Sequence, residues 1–137
     1  MRRRKVVTLT ILAVVIVIVY FGMTTVKSYI KTIEASLDQI KNTPISDVDL
    51  SQVADGVYTG SCHVFPVTAE VKVAVEDHRI SSIELTKHIS GRGSKAEVIP
   101  SRVVEAQTLT VDAVSGATYS SMIILRAIEN ALNSANR

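Results

Sequence analysis

The stretch Val67-Thr68-Ala69-Glu70-Val71-Lys72-Val73-Ala74-Val75-Glu76 decides the fold. Val67, Ala69, Val71, Val73 and Val75 alternate with Thr68, Glu70, Lys72, Ala74 and Glu76. A period of two puts every apolar member on one face of a strand, and that face has to be covered. On the C-terminal side Asp77-His78 offers a tight turn, after which Arg79 to Thr86 returns as a further strand with Ile83 and Leu85 in phase. Ile80 is out of phase with them, which marks a bulge or a strand edge. On the N-terminal side Asp55-Gly56 supplies a turn, and Val57-Tyr58-Thr59-Gly60 has strand residues.

Further along, Lys87 to Ser94 contains His88, Gly91 and Gly93 and reads as a loop. Ala96 to Gln107 has helical spacing at Val98 or Ile99, Val103 and Ala106, with Pro100 suited to a helix start or a kink. Thr108 to Val114 is extended and β-branched. From Thr118 or Ser120 onward, Ile124, Leu125, Ile128, Ala131, Leu132 and Ala135 form an apolar stripe opposite Arg126, Glu129, Asn130 and Asn133, the pattern of a closing helix. Two helices on a small antiparallel sheet make an α+β domain of about 80 residues, near the lower size at which a single core suffices.

The first part of the 137-residue chain reads differently. Val6 to Met23 is uncharged and apolar, and at 1.5 Å per residue it spans roughly 27 Å, enough to cross a bilayer. A cleaved signal is the rival, but its apolar region is shorter, and no A-x-A pattern stands near Phe21 to Thr25. Arg2, Arg3, Arg4 and Lys5 precede the span whereas only Lys27 and Lys31 follow closely, so the positive-inside rule places residues 1–5 in the cytoplasm and everything after the anchor outside. Val26, Ile30, Ile33, Leu37 and Ile40 continue at intervals of four and three, which makes 24–43 a stalk helix whose seam could pair two protomers, pack on the head domain, or simply continue the membrane helix. Thr43-Pro44 ends it. Residues 44–54 read as a linker and 55–137 as the head domain.

Charge and cysteine usage narrow the function classes. Residues 1–43 carry net +5 and residues 44–137 net −3, so the head is mildly acidic. It has no basic stripe and no Trp, which speaks against nucleic acid. Cys62 is the only cysteine. That excludes an intramolecular disulfide and a cysteine-built metal centre, and leaves burial as a small apolar residue as the favoured reading over pairing between chains. The three histidines, His63, His78 and His88, show no metal-ligand spacing. There is no nucleophile elbow, P-loop lysine or Rossmann glycine pattern.

The chemistry concentrates in Ser115-Gly116-Ala117-Thr118-Tyr119-Ser120-Ser121, preceded by Asp112 and followed by the closing helix. Small residues and hydroxyls at a helix N-terminus suit a phosphate, because backbone N–H groups and the positive dipole end are available there. The same residues also suit an ordinary helix start capped by Ser or Thr. Asp112, Ser115, Gly116, Ala117 and Thr118 match, without departure, the motif Asp-x-x-Ser/Thr-Gly-Ala-Thr. On that motif, on Asp55 to Gly60, on the alternating strand and on the loop with His88, residues 54–135 resemble the FMN-binding domain family.

The resemblance implies FMN held covalently, through a phosphoester on Thr118. It implies Ser115, Gly116, Ala117, Asp112, Ser120, His88 and Tyr119 as its surroundings, with His88 either stacking on or hydrogen-bonding the isoalloxazine ring or, equally, a surface residue at a strand end. Asp112 would orient the Thr118 hydroxyl or help a metal of the attaching enzyme. Tyr119, like Tyr58, suits either ring stacking or a half-buried place in the core. The partners implied are an exported flavin transferase that uses FAD and magnesium and releases AMP, a quinol-linked dehydrogenase or similar membrane donor, and an external acceptor. The expectation is a membrane-anchored extracytoplasmic electron carrier, more than a self-contained enzyme. The other readings are a non-covalent FMN-dependent reductase and a flavin-free surface module.

Overall fold

The computed structural model describes residues 2–135; the side chains of residues 2–5, 33, 34, 36, 37, 39 and 41 lie outside the description. Two compact units divide the chain, residues 1–35 and 36–137. In the first, α1 (Arg2–Asn42) begins, and within it Val6–Thr32 is the one helix among the described residues long and apolar enough to cross a membrane. Threonine hydroxyls in it bond back to the helix itself, as Thr10 Oγ1 donates to the Val7 carbonyl at 2.8 Å and Thr25 Oγ1 to the Gly22 carbonyl at 2.8 Å. Such back-bonding lets a threonine sit in an apolar span without a stranded polar group. The helix stops at Asn42, immediately before Thr43-Pro44. Of the seam, the side chains of Ile33 and Leu37 are outside the described residues, Val26 and Ile30 are exposed, and Ile40 packs on the core of the head.

The head is a three-stranded antiparallel sheet, β1 (Gly56–Val64), β2 (Val67–Glu76) and β3 (Arg79–Ile89), in the order β1-β2-β3. On β2 the alternation resolves as read: Val67, Ala69, Val71, Val73 and Val75 are at most 4% exposed and lie under α2 (Ile99–Ala106) and α3 (Thr118–Ser134). The architecture is α+β, with two helices on one sheet face. The opposite face is wet and carries the pairs Lys72–Glu84 at 3.7 Å and Glu70–Lys87 at 3.3 Å. Asp77 and His78, with φ of 51° and 58°, make the left-handed two-residue turn that a tight hairpin requires. Asp and His are among the residues that tolerate it.

The β2–β3 register slips twice. Ser81 has no partner between Ala74↔Ser82 and Val75↔Ile80, and Thr86 none between Glu70↔Lys87 and Val71↔Leu85. Each extra residue turns its hydroxyl back on β2: Ser81 Oγ donates to the Ala74 carbonyl at 3.2 Å and Thr86 Oγ1 to the Glu70 carbonyl at 3.0 Å. A bulge shifts side-chain phase by one. The first explains why Ile80, out of phase with Ile83 in the sequence, is nevertheless buried. The second carries β3 on through Ile89, so that His88 belongs to a strand and not to the expected loop, which shrinks to residues 90–93.

Around this frame, Ser94–Val98 forms a short 3-10 turn before α2, and Pro100 sits in the first turn of α2 as its fixed φ favours. Gln107 closes α2 in a left-handed conformation, φ 56°. Its amide clamps β3, accepting from Ile80 N–H at 2.9 Å and donating to the Ile80 carbonyl at 2.9 Å. Residues 108–114 run outside the sheet. Residues 44–54, read as a linker, have specific places on the head. Val53 is fully buried, and Arg126 Nη2 donates to the Thr43 carbonyl at 2.8 Å. The Ser46 N–H donates to Glu129 Oε1 at 3.1 Å, while Asp47 accepts from Thr108 Oγ1 at 2.6 Å and Leu109 N–H at 3.0 Å.

Candidate functional site

The hydroxyl-rich segment lies where 108–114 turns into α3. The Ala117 N–H donates to the Val114 carbonyl at 2.9 Å, closing a four-residue turn, and Gly116 takes φ +78° at its third position. A side chain there would be strained whatever the space, although nothing stands within 4 Å of where a Cβ would be. Thr118 is the first residue of α3, and the cap residue Ala117 offers no side-chain hydrogen bond. The ordinary Ser/Thr-capped start is therefore not what this sequence builds, and the N–H groups of the first turn lack a side-chain acceptor.

The hydroxyls of the segment separate cleanly. Thr118 and Ser115 are exposed, and neither hydroxyl has a hydrogen-bond partner among the described residues. Ser120 and Ser121 are buried, at 3% and 0% exposure. Ser120 packs beneath the 90–93 loop so closely that a Cβ on Gly93 would collide with its Oγ. Ser121 Oγ donates to the Ala117 carbonyl at 2.9 Å and accepts from Val114 N–H at 3.0 Å. Tyr119 is half-buried and reaches across to the first hairpin, its hydroxyl 3.1 Å from the Val64 carbonyl and 3.2 Å from that of Phe65. Burial pushes its phenol up, and the neighbouring Cys62 adds to the rise. Asp112 stays exposed, and its backbone carbonyl accepts from Arg102 Nη1 at 3.2 Å.

His88 is brought to the same layer by the Thr86 bulge. It pairs with Ala69, and so faces the side of the sheet that α3 covers. Its side chain is only 4% exposed; Nδ1 lies 3.0 Å from Glu97 Oε1, and Nε2 is buried without a partner. Cys62, opposite Ala69 on β1, is half-buried, and desolvation pushes its thiol up. A cleft of about 790 Å³ lies elsewhere, lined among others by Thr59, Ser61, Glu70, Lys72, Asn130 and Asn133. It sits toward the far end of α3 from Thr118, about 18 Å along the helix. Its charges are already paired and the Asn130 amide already donates to the Ser61 carbonyl, so the hydroxyl turn and not the cleft is the candidate site.

Sequence reasoning missed the lock by Ser121, the Gly93–Ser120 contact and the Glu97 partner of His88. The first was legible as a hydroxyl one helical turn past Thr118; the Glu97 partner depends on a bulge that shows only as an out-of-phase pattern, and the Gly93–Ser120 contact joins segments far apart in the chain.

Fold and site together define a small α+β domain that presents an exposed hydroxyl turn at a helix start, preceded by an apolar helix. Residues 66–133 match the family model of the FMN-binding domain, and the head belongs to that family. No curated protein matches the chain. An FMN-binding domain preceded by a helix of this length and apolarity fits a membrane-anchored FMN-binding protein.

Proposed function

We propose that the protein is a single-pass, extracytoplasmic flavoprotein that carries FMN on Thr118 and relays electrons between a membrane donor and an external acceptor. The observation that carries this reading is the exposed, unpartnered Thr118 hydroxyl at the uncapped start of α3, inside a domain of the FMN-binding family. The residues present fit the group. An uncapped helix start suits a phosphodiester, and the buried, orphaned Nε2 of His88 is a polar atom that a ring heteroatom of a bound ligand would satisfy.

In the attachment step the Thr118 hydroxyl oxygen bonds to the flavin-side phosphorus of FAD, the P–O–P bond breaks and AMP departs with the bonding electrons. The hydroxyl proton goes to solvent or to a base of the transferase. FMN, when bound, accepts two electrons and releases them singly. The chain's own residues supply the rest. Thr118 would hold the phosphoryl group, with the uncapped N–H groups of the first turn as its available donors; Glu97 holds His88, and Tyr119 ties the helix start to the β1–β2 hairpin. Asp112 acts at the turn during attachment. The cluster Arg2–Lys5 supports a cytoplasmic N-terminus, which leaves the head on the outer side with the transferase and the electron acceptor.

The test is co-expression with an FAD-dependent flavin transferase, followed by a denaturing gel and intact-mass measurement. Fluorescence that stays with the polypeptide, and the added mass of one FMN, support the reading. Flavin released on denaturation points to a non-covalent reductase, and no flavin at all to a surface module.

A further inference from the structure

The Ser121 hydroxyl is engaged on both sides of the turn that presents Thr118. A serine inside a helix commonly bonds back to the carbonyl four residues earlier, and Ser121 does so to Ala117 at 2.9 Å. Its second bond is not of that local kind. Val114, on the incoming segment, donates its N–H to Ser121 Oγ at 3.0 Å, while the Val114 carbonyl accepts from Ala117 N–H at 2.9 Å. Val114 and Ala117, the two ends of the turn, are thus tied to each other and to one fully buried hydroxyl. Between them Ser115 and Gly116 are exposed, with Gly116 at φ +78°. Neighbouring Ser120 cannot substitute, since its hydroxyl is packed against Gly93.

We infer that Ser121 is a positioning residue for the modification of Thr118. Its hydroxyl holds the Val114–Ala117 turn in the one geometry that presents the Thr118 oxygen to an incoming phosphorus. The inference rests on the proposed attachment of FMN and names the side chain that controls it from inside. Transfer depends on alignment of the attacking oxygen with the bond that breaks, so a turn free to sample other geometries loads slowly even when Thr118 is intact.

The experiment follows mass gain of the purified full-length protein with time, in the presence of transferase, FAD and magnesium. Ser121→Ala is expected to load about tenfold or more slowly than the wild type. In the same variant the Val114 amide should lose hydrogen-exchange protection while amides of β2 keep theirs. Ile128→Val, a core change further along α3, lowers Tm yet should load at the wild-type rate, which separates positioning from general loss of stability. If Ser121→Ala fails to fold, Gly116→Ala strains the same turn from its exposed side and should load slowly. Wild-type loading by folded Ser121→Ala overturns the inference, as does wild-type loading by Gly116→Ala in its place, or slow loading by Ile128→Val in proportion to its lower Tm. A wild-type chain that gains no mass overturns the functional reading and, with it, this inference.

Discussion

The carbonyl oxygen of Ala127 occupies the space that a side chain on Gly60 would need. A β-carbon there would also collide with the backbone nitrogen of Ala131 and approach its Cα to 2.8 Å. Helix α3 therefore lies backbone to backbone on β1, and Ala127 and Ala131, both fully buried, are small because the strand is that close. Gly60→Ala has to push the helix away. Overpacking of this kind costs about 1–3 kcal/mol, and each kcal/mol lowers Tm by about 4–8 °C in a domain of this size. A thermal melt of the variant within 1 °C of the wild type would contradict the packing described.

The alternation on β2 was fully legible, because a period of two leaves one arrangement of in and out. The limits of α2 and α3 were nearly so, since Pro100 and the turn before Thr118 mark them chemically. His88 was not. Its assignment to a loop followed from the glycines beside it, whereas its actual face depends on the single extra residue Thr86, and a bulge leaves only a phase error in the sequence. Residues 44–54 looked like a linker for a related reason. Val53, Asp47 and Ser46 find partners far away in the chain, and local composition carries no trace of long-range bonds. At the site, the motif was visible as residue types, but which hydroxyls are exposed and which are used inside was decided by the turn.

Thr118→Ala should abolish the covalent flavin mass, and Thr118→Ser should retain it, because the hydroxyl is kept. Thr118 is exposed, so both variants should melt within about 0.5 kcal/mol of the wild type. Retention of the full mass by Thr118→Ala would shift the acceptor role to Ser115, the other exposed hydroxyl of the segment.

Gln107→Ala removes both bonds to Ile80 and the donation to the Val104 carbonyl at 2.6 Å, while keeping a non-glycine residue at positive φ. The expected loss is about 1–3 kcal/mol, from buried backbone groups left without partners. Urea unfolding gives the value directly; a midpoint equal to that of the wild type would mean water replaces the amide completely.

Asp47 predicts an acid dependence of stability. Slight burial pulls its carboxyl up, but hydrogen bonds from Thr108, Leu109 and Val48 outweigh it and hold the group below its ordinary value of 3.8. The folded state thus binds the proton less readily than the unfolded state. The contribution is complete above the unfolded value and disappears as pH falls through the folded one. Because the group is largely exposed, the effect stays below about 1 kcal/mol. Urea midpoints between pH 6 and pH 2.5 should fall less steeply for Asp47→Asn than for the wild type, and parallel curves would remove Asp47 from the acid limb.

A reporter fused after Arg137 should be active only outside the cytoplasm, and alkaline extraction should leave the protein in the membrane fraction. Cytoplasmic activity of the reporter would reverse the orientation drawn from Arg2 to Lys5.

The contacts of residues 43–54 also bear on where the head can be cut from the apolar helix that precedes it. A soluble fragment begun at Asp55 would lose Val53 from the core and strip Arg126, Glu129, Thr108 and Leu109 of partners they have in the intact chain. One begun at Thr43 keeps all of them. For protease trimming, crystallisation or transplantation onto another helix, the head therefore starts at least thirteen residues before its first strand, and at Ile40 where that core contact is to be kept.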